Sequence, residues 1–231
     1  MRTGQAEVGD RRSEVGDRRS VEGNGAGVLS GEDLSGEELS FKGAGICDAF
    51  SEGDEPKPED PYGVSKWEAE QALRQIEAST NMEVTIIRPP LVYGPGVKAN
   101  FKKLMGAVKK GVPLPLGCVE NSRSFIGLTN LSSAVTACVE HPSAGGQTFL
   151  VSDGEDISSR ELVLRMAVAL HRPARLIPVP VCILRLAGKL IGRLDQVERL
   201  LGSLVVDTSK IRRELDWKPV YSMKDELNRM V

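Results

Sequence analysis

The stretch PYGVSKWEAEQALRQI (61–76) decides the fold of this chain. Pro61 suits the first turn of a helix, where its missing N–H costs nothing. The apolar side chains then recur at helical spacing and share one face. We therefore predict a helix from Lys66 to Ile76 that is entered at Pro61. The residues on its apolar face are Ala69, Ala72, Leu73 and Ile76.

Strands and helices alternate from this helix to the end of the chain. Apolar runs predict strands at 84–87, 124–128, 148–151, 176–179 and 204–206. Helical periodicity predicts helices at 100–110, 129–140, 158–170, 181–194, 208–215 and 223–230. Thr129 is the expected cap of one helix, and Ser158 with Glu161 forms a capping box for another. This order predicts an α/β fold.

Tyr62 and Lys66 are the residues with the clearest chemistry. Four residues apart, they lie on the same face of the predicted helix. A free phenol ionises near pH 10, so it is a poor base at neutral pH. An ammonium group one turn away would favour the phenolate and bring proton exchange closer to pH 7. Taken alone, the pair also fits a plain helix-surface contact.

Four segments give the pair a context. They are PYGVSK (61–66), RPPLVYGPG (88–96), SRSFIGLTNLSSAV (122–135) and LVVDTSKIRRELDWKP (204–219). In order and spacing they resemble the second half of extended short-chain dehydrogenases, and more narrowly nucleotide-sugar 4-epimerases and related 4-keto-sugar reductases. The resemblance extends over 58–231. It implies the C-terminal part of a doubly wound, parallel Rossmann-type sheet with a small α/β substrate-binding domain.

The resemblance also implies which residues meet a cofactor. Tyr62 would be the catalytic acid–base and Lys66 its partner, with Lys66 also holding the nicotinamide ribose. The backbone from Pro89 through Pro90 to Val92 would touch the nicotinamide carboxamide. The cofactor implied is NAD, although the residues present do not distinguish NAD from NADP.

Further site residues are implied on the substrate side. Asn100 precedes a helix that contacts the nucleotide sugar in the family, and Arg123 matches an arginine that meets the diphosphate. Arg199 is a second arginine of this kind by a looser alignment. An arginine fork suits a diphosphate because it donates paired hydrogen bonds, but each of these arginines could also be a solvated surface residue. Ser40 stands where the family has a catalytic Ser or Thr, although the run before it (32–39) is not apolar.

The implied activity is that of a UDP-hexose 4-epimerase, in which the sugar is transiently oxidised at C4. Three alternatives stay open. The chain could be a 4-keto-sugar reductase, an inactive remnant that still binds a sugar nucleotide, or an interaction protein that forms a homodimer through the 66–78 helix. NAD-dependent turnover and sugar-nucleotide affinity distinguish among these alternatives.

The beginning of the chain differs in character from the rest. The heptapeptide EVGDRRS occurs at 7–13 and again at 14–20, with one Val as its only large apolar residue. It therefore lacks the two-position seam of a coiled coil. We predict a disordered tail at 1–39 and an epimerase/dehydratase-like domain at 40–231. Residues 1–60 show no strand, glycine-rich turn and helix that could hold a pyrophosphate. We therefore expect poor or no NAD binding, and little or no turnover, from an N-terminally truncated or rearranged gene product.

Composition sets the remaining expectations. The net charge is −2, which gives no sign of general binding to nucleic acid or to a membrane. The four cysteines form no CxxC pair and lie at no metal-ligand spacing to a histidine, so we expect no metal site and reduced, mostly buried thiols. No secretory signal is visible, and these features predict a soluble, cytoplasmic protein. Few aromatic residues predict a mainly aliphatic core.

Overall fold

The computed structural model describes residues 49–58, 60–96 and 100–231. The tail predicted at 1–39 and the candidate Ser40 lie outside the described residues. The strands are β1 (Ile86–Arg88), β2 (Leu91–Tyr93), β3 (Arg123–Gly127), β4 (Thr148–Leu150) and β5 (Asp156–Ile157). The α-helices are α1 (Pro61–Ser79), α2 (Asn100–Lys109), α3 (Leu128–Glu140), α4 (Ser159–Ala169), α5 (Val181–Ile191), α6 (Leu194–Leu201), α7 (Ser209–Leu215) and α8 (Met223–Asn228).

The strands form two small sheets, and each sheet contains one parallel strand pair. β1 pairs parallel with β4, with Ile87 opposite Phe149. β2 pairs parallel with β3, with Val92 opposite Ile126, and β5 joins the other edge of β3 antiparallel. The predicted α/β class is therefore confirmed. Parallel strands need crossover connections, and helices supply them here.

Pro89 and Pro90 separate the two sheets. They follow β1 directly and precede β2. Proline has no backbone N–H to donate to a ladder, so a proline pair ends β1 and sends the chain to a new neighbour. The carboxyl end of β1 is thereby opened for other groups.

The buried core is mainly aliphatic, as we expected, but aromatic side chains stand at its centre. Tyr93, Phe125 and Phe149 are among the largest fully buried side chains. Tyr93 stacks on Phe101 with ring centroids 5.1 Å apart. A few aromatic rings suffice because each one buries a large apolar area.

Several expected boundaries were wrong. Gly127, not Thr129, is the N-cap of α3, because β3 runs directly into the helix. The expected helix at 181–194 divides into α5 and α6 at Gly192, whose φ of 71° is left-handed. The expected strands at 176–179 and 204–206 contribute only isolated parallel bridges, from Leu176, Leu204 and Val206.

Two further expectations were met only in part. Ser158 caps α4 by accepting from the Glu161 N–H, but the Glu161 carboxylate bonds Arg165 rather than completing the capping box. Of the three cysteines in the described ranges, Cys138 is buried, whereas Cys118 and Cys182 are exposed. The thiols are therefore less buried than we expected.

The described ranges contain no helix that is both long enough and apolar enough to cross a bilayer.

Candidate active site

The N-terminus of α1 is built by Asp60 and Gly63. The Asp60 carboxylate accepts a hydrogen bond from the Gly63 N–H at 2.7 Å, which makes Asp60 the N-cap. Gly63 is buried, and a Cβ there would lie 3.1 Å from the Pro58 side chain. A residue without a side chain therefore lets the preceding loop close on the helix. This closure fixes the first turn, which carries Tyr62.

Tyr62 and Lys66 are brought together as the spacing predicts. The Lys66 ammonium nitrogen lies 5.3 Å from the centroid of the Tyr62 ring, within the range of a cation–π contact. Tyr62 is half-buried and Lys66 is exposed. This contact holds the ammonium group against the phenol ring of the candidate acid–base residue.

Two contacts show how α1 lies against β1. The Val84 N–H, just before the strand, donates to Glu77 Oε1 at 2.8 Å, late in the helix. At the end of the strand, Arg88 Nε donates to Glu70 Oε2 at 3.0 Å. The later helix residue thus contacts the start of the strand and the earlier helix residue contacts its end. The chain directions of α1 and β1 are therefore antiparallel.

This direction places the start of α1 beyond the carboxyl end of β1. Tyr62 and Lys66 precede Glu70 by one to two turns, while Pro89 and Pro90 leave the same end of the strand. Ligands of open α/β sheets bind outside the carboxyl ends of the strands. The geometry therefore places the Tyr–Lys pair where a ligand of this fold would lie.

Arg123 and Arg199 meet near the same helix end. Arg123 begins β3, is only 6% exposed, and donates through Nη1 to the Arg199 carbonyl oxygen at 2.9 Å. Arg199 Nη2 in turn donates to Asp60 Oδ2 at 3.2 Å. A chain of contacts thus joins both arginines to the N-cap of the Tyr62 helix. This grouping brings a cationic pair beside the candidate acid–base residue.

The other candidate residues stand on separate elements. Val92 lies in β2, where it stands opposite Ile126 of β3, and its half-buried side chain packs against the core around Ile126. Asn100 is the first residue of α2 and is exposed.

A buried polar network beside the carboxyl ends of β3 and β4 was missed at the sequence level. Tyr93 OH donates to Asp153 Oδ2 at 2.6 Å, and Asn130 Nδ2 donates to Asp153 Oδ1 at 2.7 Å. The Gly127 N–H also donates to this carboxylate. The available signal was a carboxylate placed directly after a buried strand. The network ties β2, β3 and α3 to the segment that follows β4.

Burial dominates the electrostatics of this network. It raises the pKa of the Asp153 carboxyl, against the hydrogen bonds from Tyr93, Asn130 and Gly127, which lower it. Burial, followed by the Asp153 charge, raises the pKa of the Tyr93 phenol far above its usual range. Glu226 is fully buried nearby, and neither of its carboxyl oxygens has a hydrogen-bond partner among the described residues. Tyr93 is therefore a permanent donor and not an acid–base group.

Comparison with known proteins agrees with this geometry. Residues 42–152 match the NAD dependent epimerase/dehydratase family. The chain is 45% identical over 193 residues to a UDP-glucose 4-epimerase of Vibrio cholerae, an alignment that covers 83% of this chain and 59% of that protein. It is 29% identical over 134 residues to an N-acetyl-α-D-glucosaminyl-diphospho-ditrans,octacis-undecaprenol 4-epimerase of Escherichia coli O157:H7, covering 55% of this chain and 40% of the relative. The chain thus spans well under two thirds of the length of these relatives.

Solved structures share the fold. A UDP-glucose 4-epimerase from Thermotoga maritima, solved with UDP-glucose, superposes with a TM-score of 0.64 at 17% identity, covering 85% of this chain and 60% of that one. A UDP-glucuronic acid 4-epimerase from Bacillus cereus, solved with NAD, gives 0.63 at 20% identity, covering 80% and 56%. The Tyr–Lys helix and the parallel strand pairs agree with these matches. Residues 42–152 match the NAD dependent epimerase/dehydratase family, and a longer part of the chain is similar to a UDP-glucose 4-epimerase.

Proposed function

We propose that this chain acts on a nucleotide sugar in the manner of a UDP-hexose 4-epimerase, with Tyr62 as the acid–base residue for the sugar 4-hydroxyl. The observation that carries the proposal is the position of Tyr62 and Lys66 beyond the carboxyl end of β1, with the Lys66 ammonium 5.3 Å from the phenol ring. The identity of 45% to a UDP-glucose 4-epimerase supports the choice of substrate class.

The proton steps follow from the two side chains. Tyr62 as phenolate accepts the proton of the 4-hydroxyl, and the Lys66 charge stabilises that phenolate. When bound, NAD supplies the acceptor for the hydride that leaves C4. Tyr62 then holds the proton while the sugar carries a 4-keto group. Return of the proton from Tyr62 to the oxygen restores the hydroxyl, in the opposite configuration if the hydride returns to the other face of C4.

The described residues fit the nicotinamide end of this cofactor. Lys66 is exposed and its ammonium carries three donors for ribose hydroxyls. Pro89 and Pro90 end the sheet pairing of β1. The backbone from Pro89 to Val92, which pairs with β3 on one side from Leu91 onward, would meet the carboxamide there. These residues would hold and orient the ring beside Tyr62.

The diphosphate of the substrate has a cationic partner in the proposal. Arg123 and Arg199 are adjacent, and Arg199 contacts the cap of α1 through Asp60. A diphosphate bound by these arginines would lie close to the turn that carries Tyr62. Asn100 would contact the nucleotide sugar from the start of α2.

The outward face of α1 supports a further part of the proposal. Leu73 and Ile76 on this face are exposed, with relative accessibilities of 42% and 43%. Two copies of the chain would pair through this helix, as the resemblance implies.

Binding of a UDP-hexose tests substrate recognition directly. Replacing Arg123 by Ala should weaken UDP-glucose binding by about 1.5–3 kcal/mol, the range for a hydrogen bond to a charged group. Isothermal titration of wild type and variant measures this difference. Arg123→Lys should lose less, because it keeps the charge but not the paired donors.

The matched control is Arg165→Ala. Arg165 is partly buried, whereas Arg123 is buried, and the Arg165 guanidinium pairs with Glu155 and Glu161 on and beside α4. Its removal should leave the UDP-glucose dissociation constant unchanged. An Arg123→Ala protein that folds, as judged by circular dichroism, and that binds as tightly as wild type would rule out the role of Arg123.

A further inference from the structure

Helix α5 turns apolar side chains toward the outside of the molecule. The exposed fractions are 53% for Ile183, 58% for Leu186, 79% for Leu190 and 71% for Ile191. Because these residues lie three, four or seven positions apart or next to one another, they form a continuous face. We call these four residues the α5 outer face.

The α5 outer face stays exposed in the described part of the fold. α5 packs through its opposite side, where Gly188 is buried against Val197 of α6. Arg185 also pairs with Glu198 of α6 at 2.8 Å. Leu184 also packs against the core, so the helix is held in place without the four residues of the α5 outer face.

Two exposed basic residues without a carboxylate partner in the described ranges flank this face. Of the six Lys and Arg residues between 162 and 194, Arg165 and Arg185 pair with glutamates. Lys189 lies on α5 and Arg193 just follows it, and no carboxylate among the described residues pairs with either one. A partner surface that complements this region would therefore be apolar where it meets the α5 outer face and anionic where it meets Lys189 and Arg193.

A lipid surface fits these features better than a second copy of the chain. An eleven-residue helix is about 16 Å long and about 10 Å wide. One face of it falls well short of the roughly 800 Å² per partner that a stable protein interface buries. A bilayer has no such minimum, and a short helix with leucines on one face and basic residues at its flank is typical of interfacial binding.

We propose that the α5 outer face docks this protein on an anionic membrane surface. Leu186 and Leu190 would enter the boundary between headgroups and acyl chains, while Lys189 and Arg193 meet the lipid phosphates. The helix would lie in the plane of the surface and would not cross it. The proposal is independent of the proposed enzymatic function, since neither Tyr62 nor the arginine pair takes part.

Vesicle flotation of the full chain tests the proposal. Wild type should float with vesicles of equal parts phosphatidylcholine and phosphatidylglycerol, and much less with phosphatidylcholine alone. The double variant Leu186→Glu with Leu190→Glu should reduce the partition coefficient by about tenfold or more, because both apolar area and charge complementarity are lost. Lys189→Glu alone should reduce it by about fivefold.

Val139→Glu is the matched control. Val139 is 80% exposed on α3, so the change adds a negative charge at an exposed apolar side chain on a different helix. It should float like wild type. Failure of wild type to float, or equal flotation of the double variant and wild type, would overturn the proposal. So would sedimentation showing that wild type self-associates and that the double variant is monomeric, since the face would then bind a second copy.

Discussion

Helices α1 and α4 are held in the molecule by different forces. α1 has 19 residues, of which only Gly63 is buried. α4 has 11 residues, and six of them are buried. α4 packs into the core around Phe125, whereas α1 is positioned by polar contacts to Arg88, Val84 and the Asp60 cap.

The difference teaches how this molecule separates stability from orientation. Buried apolar area stabilises a helix strongly but without direction. Hydrogen bonds and ion pairs contribute less, but they fix which turn lies opposite which strand residue. The helix that carries Tyr62 therefore has a defined position and low local stability, as is common for elements of functional sites.

The largest expected effect is the loss of unfolding free energy when a core residue of α4 is replaced. Met166→Ala in α4 removes a fully buried side chain and should cost about 2–5 kcal/mol of unfolding free energy. Leu73→Ala on α1 should stay within about 0.5 kcal/mol, as for other surface changes. Urea unfolding measures both. Equal losses for the two variants would contradict the idea that α1 lies outside the packed core.

An intermediate effect is expected at the contact between α1 and β1. Glu70→Gln removes the charge opposite Arg88 in a pair whose side chains are mostly buried. It should cost about 1.5–3 kcal/mol, the range for a hydrogen bond to a charged group. Amide hydrogen exchange should show the loss mainly in α1 and hardly in α4.

Glu68→Gln serves as the control for Glu70→Gln, since Glu68 is exposed on the same helix. It should change α1 exchange rates very little. Uniform acceleration across α4 and α1 in Glu70→Gln would mean that the two helices unfold together, and the comparison would then fail.

The smallest expected effect concerns pH and the buried network. Since burial raises the pKa of the Asp153 carboxyl above its ordinary 3.8, the folded state keeps this proton to a higher pH than the unfolded state does. The stability contribution of Asp153 therefore falls as pH rises from that value through the raised one. Asp153→Asn should remove this decline, as urea unfolding across the acidic to neutral range would show. Asp216→Asn, at an exposed site, should leave it in place.

Local patterns allowed most elements to be predicted, but not their partners. The spacing of Phe101 and Val108 predicted α2, and the predicted end differs from the observed one by one residue. This was possible because helical periodicity depends only on residues that are close together in the sequence. The ion pair between Arg199 and Asp60 joins residues 139 positions apart, and no local pattern encodes such a contact.

The candidate site shows the same division. Tyr62 and Lys66 could be paired from their spacing alone, since one helical turn separates them. Asp153 was missed because its partners Tyr93 and Asn130 come from other elements, and only the sheet brings them together. The glycine at the N-cap of α3 likewise depends on a distant residue. A side chain at Gly127 would collide with Glu226, and no local pattern shows this.

The most direct test of the central claim is the conversion of UDP-galactose to UDP-glucose by wild type and by Tyr62→Phe. NAD is supplied at high concentration, because we expect its affinity to be weak. Tyr221→Phe is the matched control, since Tyr221 lies against Arg229 at the other end of the chain. The account predicts that any NAD-dependent conversion, which we expect to be slow, falls by about a hundredfold or more in Tyr62→Phe and persists in Tyr221→Phe. Conversion that survives in Tyr62→Phe would contradict the account.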